Sequence, residues 1–189
     1  MTVQDYYIEG FYAFCFARCG FPVTLKPTGQ RGPDLKLEVN GAEIYMEVSR
    51  FREDEVLRRE MGQSTCMNFG EGDDLDLLPE MPDKSQKVLA KIEEESKQLI
   101  LGKPGIILLY SNNVVIDEYE FQKAIADKAT PLAKVSAVIF GDTWRKVGAS
   151  GYPGYWSLVN PSATAQIQPF LLQQIVKCLD PNFEIAQDS

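Results

Sequence analysis

A chain of 189 residues is long enough to bury a sizeable core in one domain, and its 44% apolar and 24% charged residues are the proportions of a folded globular protein. It carries 27 acids, 19 bases and no histidine, a net charge of −8. The missing histidine excludes every Ser-His and Cys-His catalytic arrangement, which leaves carboxylates, lysines, tyrosines or a metal to carry any chemistry.

Residues 3–19 read as a strongly apolar helix. Ile8, Phe11 and Cys15 form its expected core stripe, and Glu9 lies off that stripe with Asp5, Ala13 and Phe16. Gly20 and Phe21-Pro22 stop the helix, and residues 21–25 follow as a short strand. Residues 26–32 are a loop of turn formers and positive charge, including Lys26 and Arg31.

The most informative stretch comes next, from Gly32 to Ser49. Asn40-Gly41 is a strong hairpin signal, because both central residues of a type I′ turn need positive φ. On the first strand Leu35, Leu37 and Val39 alternate with Lys36 and Glu38. On the second, Ile44, Met46 and Val48 alternate with Glu43, Tyr45, Glu47 and Ser49. Pairing about Asn40-Gly41 brings Asp34 nearly opposite Glu47. Two carboxylates that close repel unless a proton or cation lies between them, and a hard divalent metal held by carboxylates and a backbone carbonyl is the economical explanation.

The whole charge imbalance sits in residues 53–83, where ten acids face only Arg58 and Arg59; on either side acids and bases are equal in number. This segment reads as a solvated acidic loop, or as a gate over a nucleic-acid cleft. Beyond it, Asp83 or Ser85 caps a helix over residues 84–101, with Val88, Ile92, Leu99 and Ile100 as a partial apolar stripe and Gly102 closing it. Residues 106–110 form an apolar run expected of a strand covered on both faces. A helix over 117–128, a buried strand over 137–140, a short strand over 155–159 and a helix over 166–179 complete the chain. The turn at 151–154, with Tyr155 and Trp156, reads as an edge cover that could also stack on bases. No Gly-rich turn follows the first strand, which excludes a Rossmann reading, and no P-loop sequence occurs. Cys15, Cys19, Cys66 and Cys178 are scattered. With no histidine and no second cysteine pair they read as free thiols in a reducing cytoplasm rather than a zinc site. No run of 18 apolar residues and no basic leader is found, so no membrane partner is expected.

Pro33-Asp34 and Glu47-Val48-Ser49, in a hairpin preceded by a helix and followed by helix and strand, resemble the PD-(D/E)xK nuclease superfamily. The resemblance covers roughly residues 3–110 and departs from the motif at Ser49, where the family carries a lysine. It implies an α/β fold with a restriction-endonuclease-like αβββαβ core, a mixed central sheet flanked by helices, and C-terminal additions. One nuclease-like domain would span residues 1–189, with the acidic loop inserted at about 53–83. The implied activity is metal-dependent hydrolysis of phosphodiester bonds in nucleic acid, DNA ahead of RNA, by an endonuclease or an exonuclease, with a homodimer as one option. Mg²⁺ or Mn²⁺ would be held by Asp34, Glu47 and the Val48 carbonyl, with Glu9 holding a metal-bound water. Ser49 would hydrogen-bond the attacking water, Lys87 would replace the missing lysine, and Arg31, Gln86 and Lys91 would contact substrate. The alternative is a nuclease-like scaffold that has lost catalysis and acts as a binding or inhibitory module, consistent with the absent lysine and the acidic segment.

Overall fold

The computed structural model describes residues 3–27, 29–51, 85–111, 122–123, 132–142 and 154–179. The acidic segment, most of the expected helix over 117–128 and the turn at 151–153 lie outside them. Nine elements are described: α1 (Val3–Arg18), β1 (Val23–Leu25), β2 (Leu35–Val39), β3 (Ala42–Arg50), α2 (Ser85–Ser96), β4 (Gly105–Ser111), β5 (Ala137–Asp142), β6 (Gly154–Val159) and α3 (Pro169–Cys178). The strands form one open mixed sheet in chain order, β1-β2-β3-β4-β5-β6. β1, β2 and β3 run antiparallel, β3, β4 and β5 parallel, and β6 returns antiparallel to β5.

The hairpin forms as its sequence dictates. Asn40 and Gly41 take φ of 51° and 80°, the left-handed pair that a two-residue turn requires. Val39 pairs with Ala42, Leu37 with Ile44 and Leu35 with Met46. All of Leu35, Leu37, Val39, Ile44 and Met46 are buried on one face, under α1 and α3, where Phe16, Leu172 and Ile175 join them. In β4, Ile106 and Leu108 enter this layer, while Ile107 and Leu109 enter a second layer under α2, with Val88, Ile92 and Phe140. That two-faced burial is why residues 106–110 read as an uninterrupted apolar run. Among the described residues no helix is long and apolar enough to cross a membrane.

All three helices differ from their sequence reading, α3 only in starting at Pro169 rather than at residue 166 and ending at Cys178. On α1 the buried side is Glu9, Tyr12, Ala13 and Phe16, with Cys15, whereas Phe11 is 56% exposed. The helix is apolar nearly all round, so its composition does not select a face; packing against β1, β2 and β3 does. α2 ends at Ser96 rather than reaching residue 101. Ser96 donates its hydroxyl back to the Glu93 carbonyl, and the amides of Lys97, Gln98 and Leu99 each bond three residues back, so the last turn tightens and stops.

Gly105 marks where the chain enters β4. Its amide donates to Ser136 Oγ at 3.0 Å and its carbonyl accepts the Ser136 amide at 2.7 Å. A Cβ there would strike the Lys134 carbonyl and approach Leu99 Cδ1 at 2.9 Å. Gly105→Ala is therefore expected to destabilise the protein by about 1–3 kcal/mol, read from the urea midpoint at constant m-value.

Candidate metal and phosphodiester site

The register of three strands lines up Lys26, Asp34 and Glu47. Leu25 pairs with Leu35 and Leu35 with Met46, so the next residue outward on each strand continues one cross-strand row. Lys26 completes the first step by donating its amide to the Asp34 carbonyl at 2.8 Å. β2 begins at Leu35, and the side chain of the preceding Asp34 extends its ladder: Oδ2 accepts the Val48 amide at 3.0 Å. The Tyr45 and Phe51 amides bond on the β4 side, to the Pro104 and Tyr110 carbonyls. Alternation along β3 therefore turns the backbone groups of Val48, carbonyl included, toward Asp34.

Four acids of this region are withdrawn from water: Asp34 at 3%, Glu47 at 2%, Glu9 at 5% and Glu95 at 8% exposure. Buried carboxylates are costly unless paired. Asp34 is paired, through Oδ1, with the Lys26 ammonium at 2.6 Å. Glu47 Oε1 accepts Gln98 Nε2 at 2.7 Å, whereas Oε2 is buried without a hydrogen-bond partner among the described residues. Burial, and after it the Asp34 charge, push the Glu47 carboxyl up to about 9. A proton on Glu47 would let it donate to Asp34, which relieves both the orphaned oxygen and the repulsion. Burial works to lower the Lys26 ammonium, but the Asp34 hydrogen bond and the charges of Asp34, Glu47 and Glu9 together raise it.

A second cluster adjoins the first. Ser49, two residues from Glu47 on the same strand face, donates Oγ to Glu95 Oε1 at 2.7 Å, and Lys91 Nζ reaches that same oxygen at 2.6 Å. Lys91 also pairs with Glu94 at 3.1 Å. Of the residues expected at the site, the structure thus gathers Asp34, Glu47 and Val48, with the charge of buried Glu9 acting at Lys26. Ser49 and Lys91 are brought together with each other on Glu95. Lys87, Gln86 and Arg31 are exposed, the first two on α2 and the third in the loop before β2.

Lys26, Gln98 and Glu95 are site residues that the sequence reading did not assign. Lys26 joins through the pairing of Leu25 with Leu35, which places the next residue opposite Asp34 and is a relation between two segments rather than a pattern within one. Gln98 lies beyond the true end of α2, and only the tightened turn aims it at Glu47.

Among the described residues no three Asp, Glu, Cys or His side chains converge as a metal cluster. The donor set is two carboxylates and one backbone carbonyl, all hard oxygen ligands, and it includes a buried carboxylate oxygen that has no hydrogen-bond partner among the described residues. That set fits Mg²⁺ or Mn²⁺ better than a softer ion. Comparison with family models, with curated proteins and with solved structures returns no match for this chain.

The raised Glu47 carboxyl makes stability pH-dependent in a defined direction. Between the ordinary value of 4.5 and about 9 the folded chain keeps the proton that the unfolded chain has lost. Without divalent ions, stability is therefore greatest on this account below about pH 4.5 and falls as pH rises to about 9. The slope of this single site is at most about 1.4 kcal/mol per pH unit. In Glu47→Gln that decline should be absent. Urea unfolding of both proteins across pH 5–9 in EDTA measures the difference.

Proposed function

We propose that this protein is a metal-dependent nuclease that hydrolyses phosphodiester bonds in nucleic acid, DNA ahead of RNA, on a restriction-endonuclease-like core. The observation that carries the reading is the buried pair of Asp34 and Glu47, with one Glu47 oxygen left unpartnered among the described residues. Asp34 is paired by Lys26, so the uncompensated burial falls on Glu47, whose second oxygen has no hydrogen-bond partner among the described residues. The order of the described elements supports it as well: α1, β1, the β2–β3 hairpin, α2 and β4 follow as αβββαβ.

In this reading Asp34, Glu47 and the Val48 carbonyl would hold Mg²⁺ or Mn²⁺, and the bound ion would supply Lewis-acid chemistry toward a phosphodiester and lower the pKa of a water. The protein's own share is orientation. The Val48 amide and Lys26 hold the Asp34 carboxylate on both of its oxygens, and Gln98 holds Glu47 through Oε1, leaving Oε2 as the oxygen to be satisfied. Burial excludes competing water from the acids and strengthens every charge interaction among them.

A second reading, a nuclease-like scaffold that binds without cutting, is favoured by one observation. Lys26 already neutralises Asp34, and Ser49 is committed to Glu95, so an internally balanced site persists with no ion. Mn²⁺ calorimetry beside a cleavage assay on single- and double-stranded DNA separates the two. The nuclease reading expects wild-type protein to bind Mn²⁺ and cut. It expects Glu47→Gln to lose measurable Mn²⁺ binding and at least about 10³-fold in cleavage rate. Cleavage that survives in Glu47→Gln would overturn the assignment, and Mn²⁺ binding without cleavage in wild type would move it to the binding scaffold.

A further inference from the structure

Lys26 is the one ammonium among the described residues that is built into the carboxylate row. Its side chain is 7% exposed, and its amide and Nζ both engage Asp34. Nζ also donates to the Gly32 carbonyl at 2.9 Å, so the loop between β1 and β2 closes around it. An ammonium has three donors, and two acceptors are identified: Asp34 Oδ1 and the Gly32 carbonyl. The third donor is uncommitted among the described residues. Other cations are placed differently. Lys91 is taken up by Glu95 and Glu94, Lys87 is exposed on α2, and Arg50 follows Glu47 by three residues and so lies on the opposite strand face.

A fixed positive charge beside two carboxylates does more than balance them. A phosphodiester held next to those acids would gain negative charge in its transition state, and a pre-placed donor within reach of it would contribute far more in a water-excluded site than in solvent. We propose that Lys26 is the catalytic cation of the Asp34–Glu47 site, acting from the end of β1 on the phosphodiester and doing there what a lysine at position 49 would otherwise do. The inference rests on the nuclease reading. In the step concerned, a water oxygen bonds to phosphorus as the bond from phosphorus to the leaving oxygen breaks. The water gives its proton to solvent, and the leaving oxygen takes one from solvent. Lys26 remains an ammonium throughout and stabilises the charge that builds on the non-bridging oxygens.

Lys26→Gln tests this, since it removes the charge but keeps a donor for Asp34 and Gly32. With Mn²⁺ and a DNA substrate, kcat is expected to fall about 10²–10³-fold, with the Mn²⁺ dissociation constant from calorimetry unchanged or tighter. Loss of Mn²⁺ affinity together with activity would reduce Lys26 to a prop for Asp34 and overturn the proposal. So would a kcat within about threefold of wild type. If Lys26→Gln does not fold, Lys26→Arg decides. It keeps the ion pair, but its planar guanidinium displaces the charge, and a kcat about tenfold down at unchanged Mn²⁺ affinity is expected; wild-type kcat in that variant overturns the proposal. A wild-type protein that binds Mn²⁺ and cuts nothing overturns the nuclease reading and this inference with it. A wild type that cuts while Lys26→Gln cuts equally overturns this inference alone.

Discussion

The register between β2 and β3 is the constraint on which the site depends. Asn40 and Gly41 hold the two-residue turn, and the pairs Val39–Ala42, Leu37–Ile44 and Leu35–Met46 follow from it. A slip of one residue would carry Leu35, Leu37 and Val39 out of the core and drive Lys36 and Glu38 into it, so the apolar layer under α1 and α3 resists any other pairing. The same register places Asp34 opposite Glu47, and through β1 it places Lys26 opposite Asp34. The forces that pack the core therefore also assemble the charged row, with no interaction of the row's own needed to align it.

That row is paid for in desolvation. Removing one member of a buried ion pair typically costs about 3–5 kcal/mol, because the survivor is left uncompensated. Lys26 and Asp34 satisfy each other, and the Asp34 carboxylate also closes the strand end by accepting the Val48 amide. Glu47 is the residue that the protein leaves incomplete. Gln98 covers one oxygen, the other has no donor among the described residues, and burial beside Asp34 makes it a carboxyl that keeps its proton at neutral pH unless a cation arrives. A fold selected for stability alone would put an apolar residue there, as it does at the paired Ile107 on β4.

α2 links the row to the rest of the sheet. Val88 and Ile92 seat it on Ile107 and Leu109, and this seating carries Glu95 over Ser49 and Gln98 over Glu47. Ser49, Glu95 and Lys91 form a network that balances the helix side of the site while leaving the Asp34–Glu47 pair to Lys26 and Gln98. The hydroxyl at position 49 is thus engaged away from the two acids, toward the helix.

The sequence by itself determined the hairpin, the buried strand after it and the pairing of the two acids. Leu35 to Val48 alternates strictly, Asn40-Gly41 admits one turn, and the run 106–110 is apolar on both faces, so strand identity, register and burial follow from neighbours within a few residues. What only the tertiary structure decided is which side chains from distant segments meet that pair. Glu9 is buried because α1 docks with its Glu9–Tyr12–Phe16 side inward, a choice that a helix apolar all round does not encode locally. Gln98 reaches Glu47 because α2 ends early and its last turn tightens. Lys26 becomes part of the site through a cross-strand row between β1, β2 and β3, a relation between segments that no periodicity within one segment contains. Periodicity reports which face of an element is apolar; the partner that covers that face is fixed by packing over the whole chain.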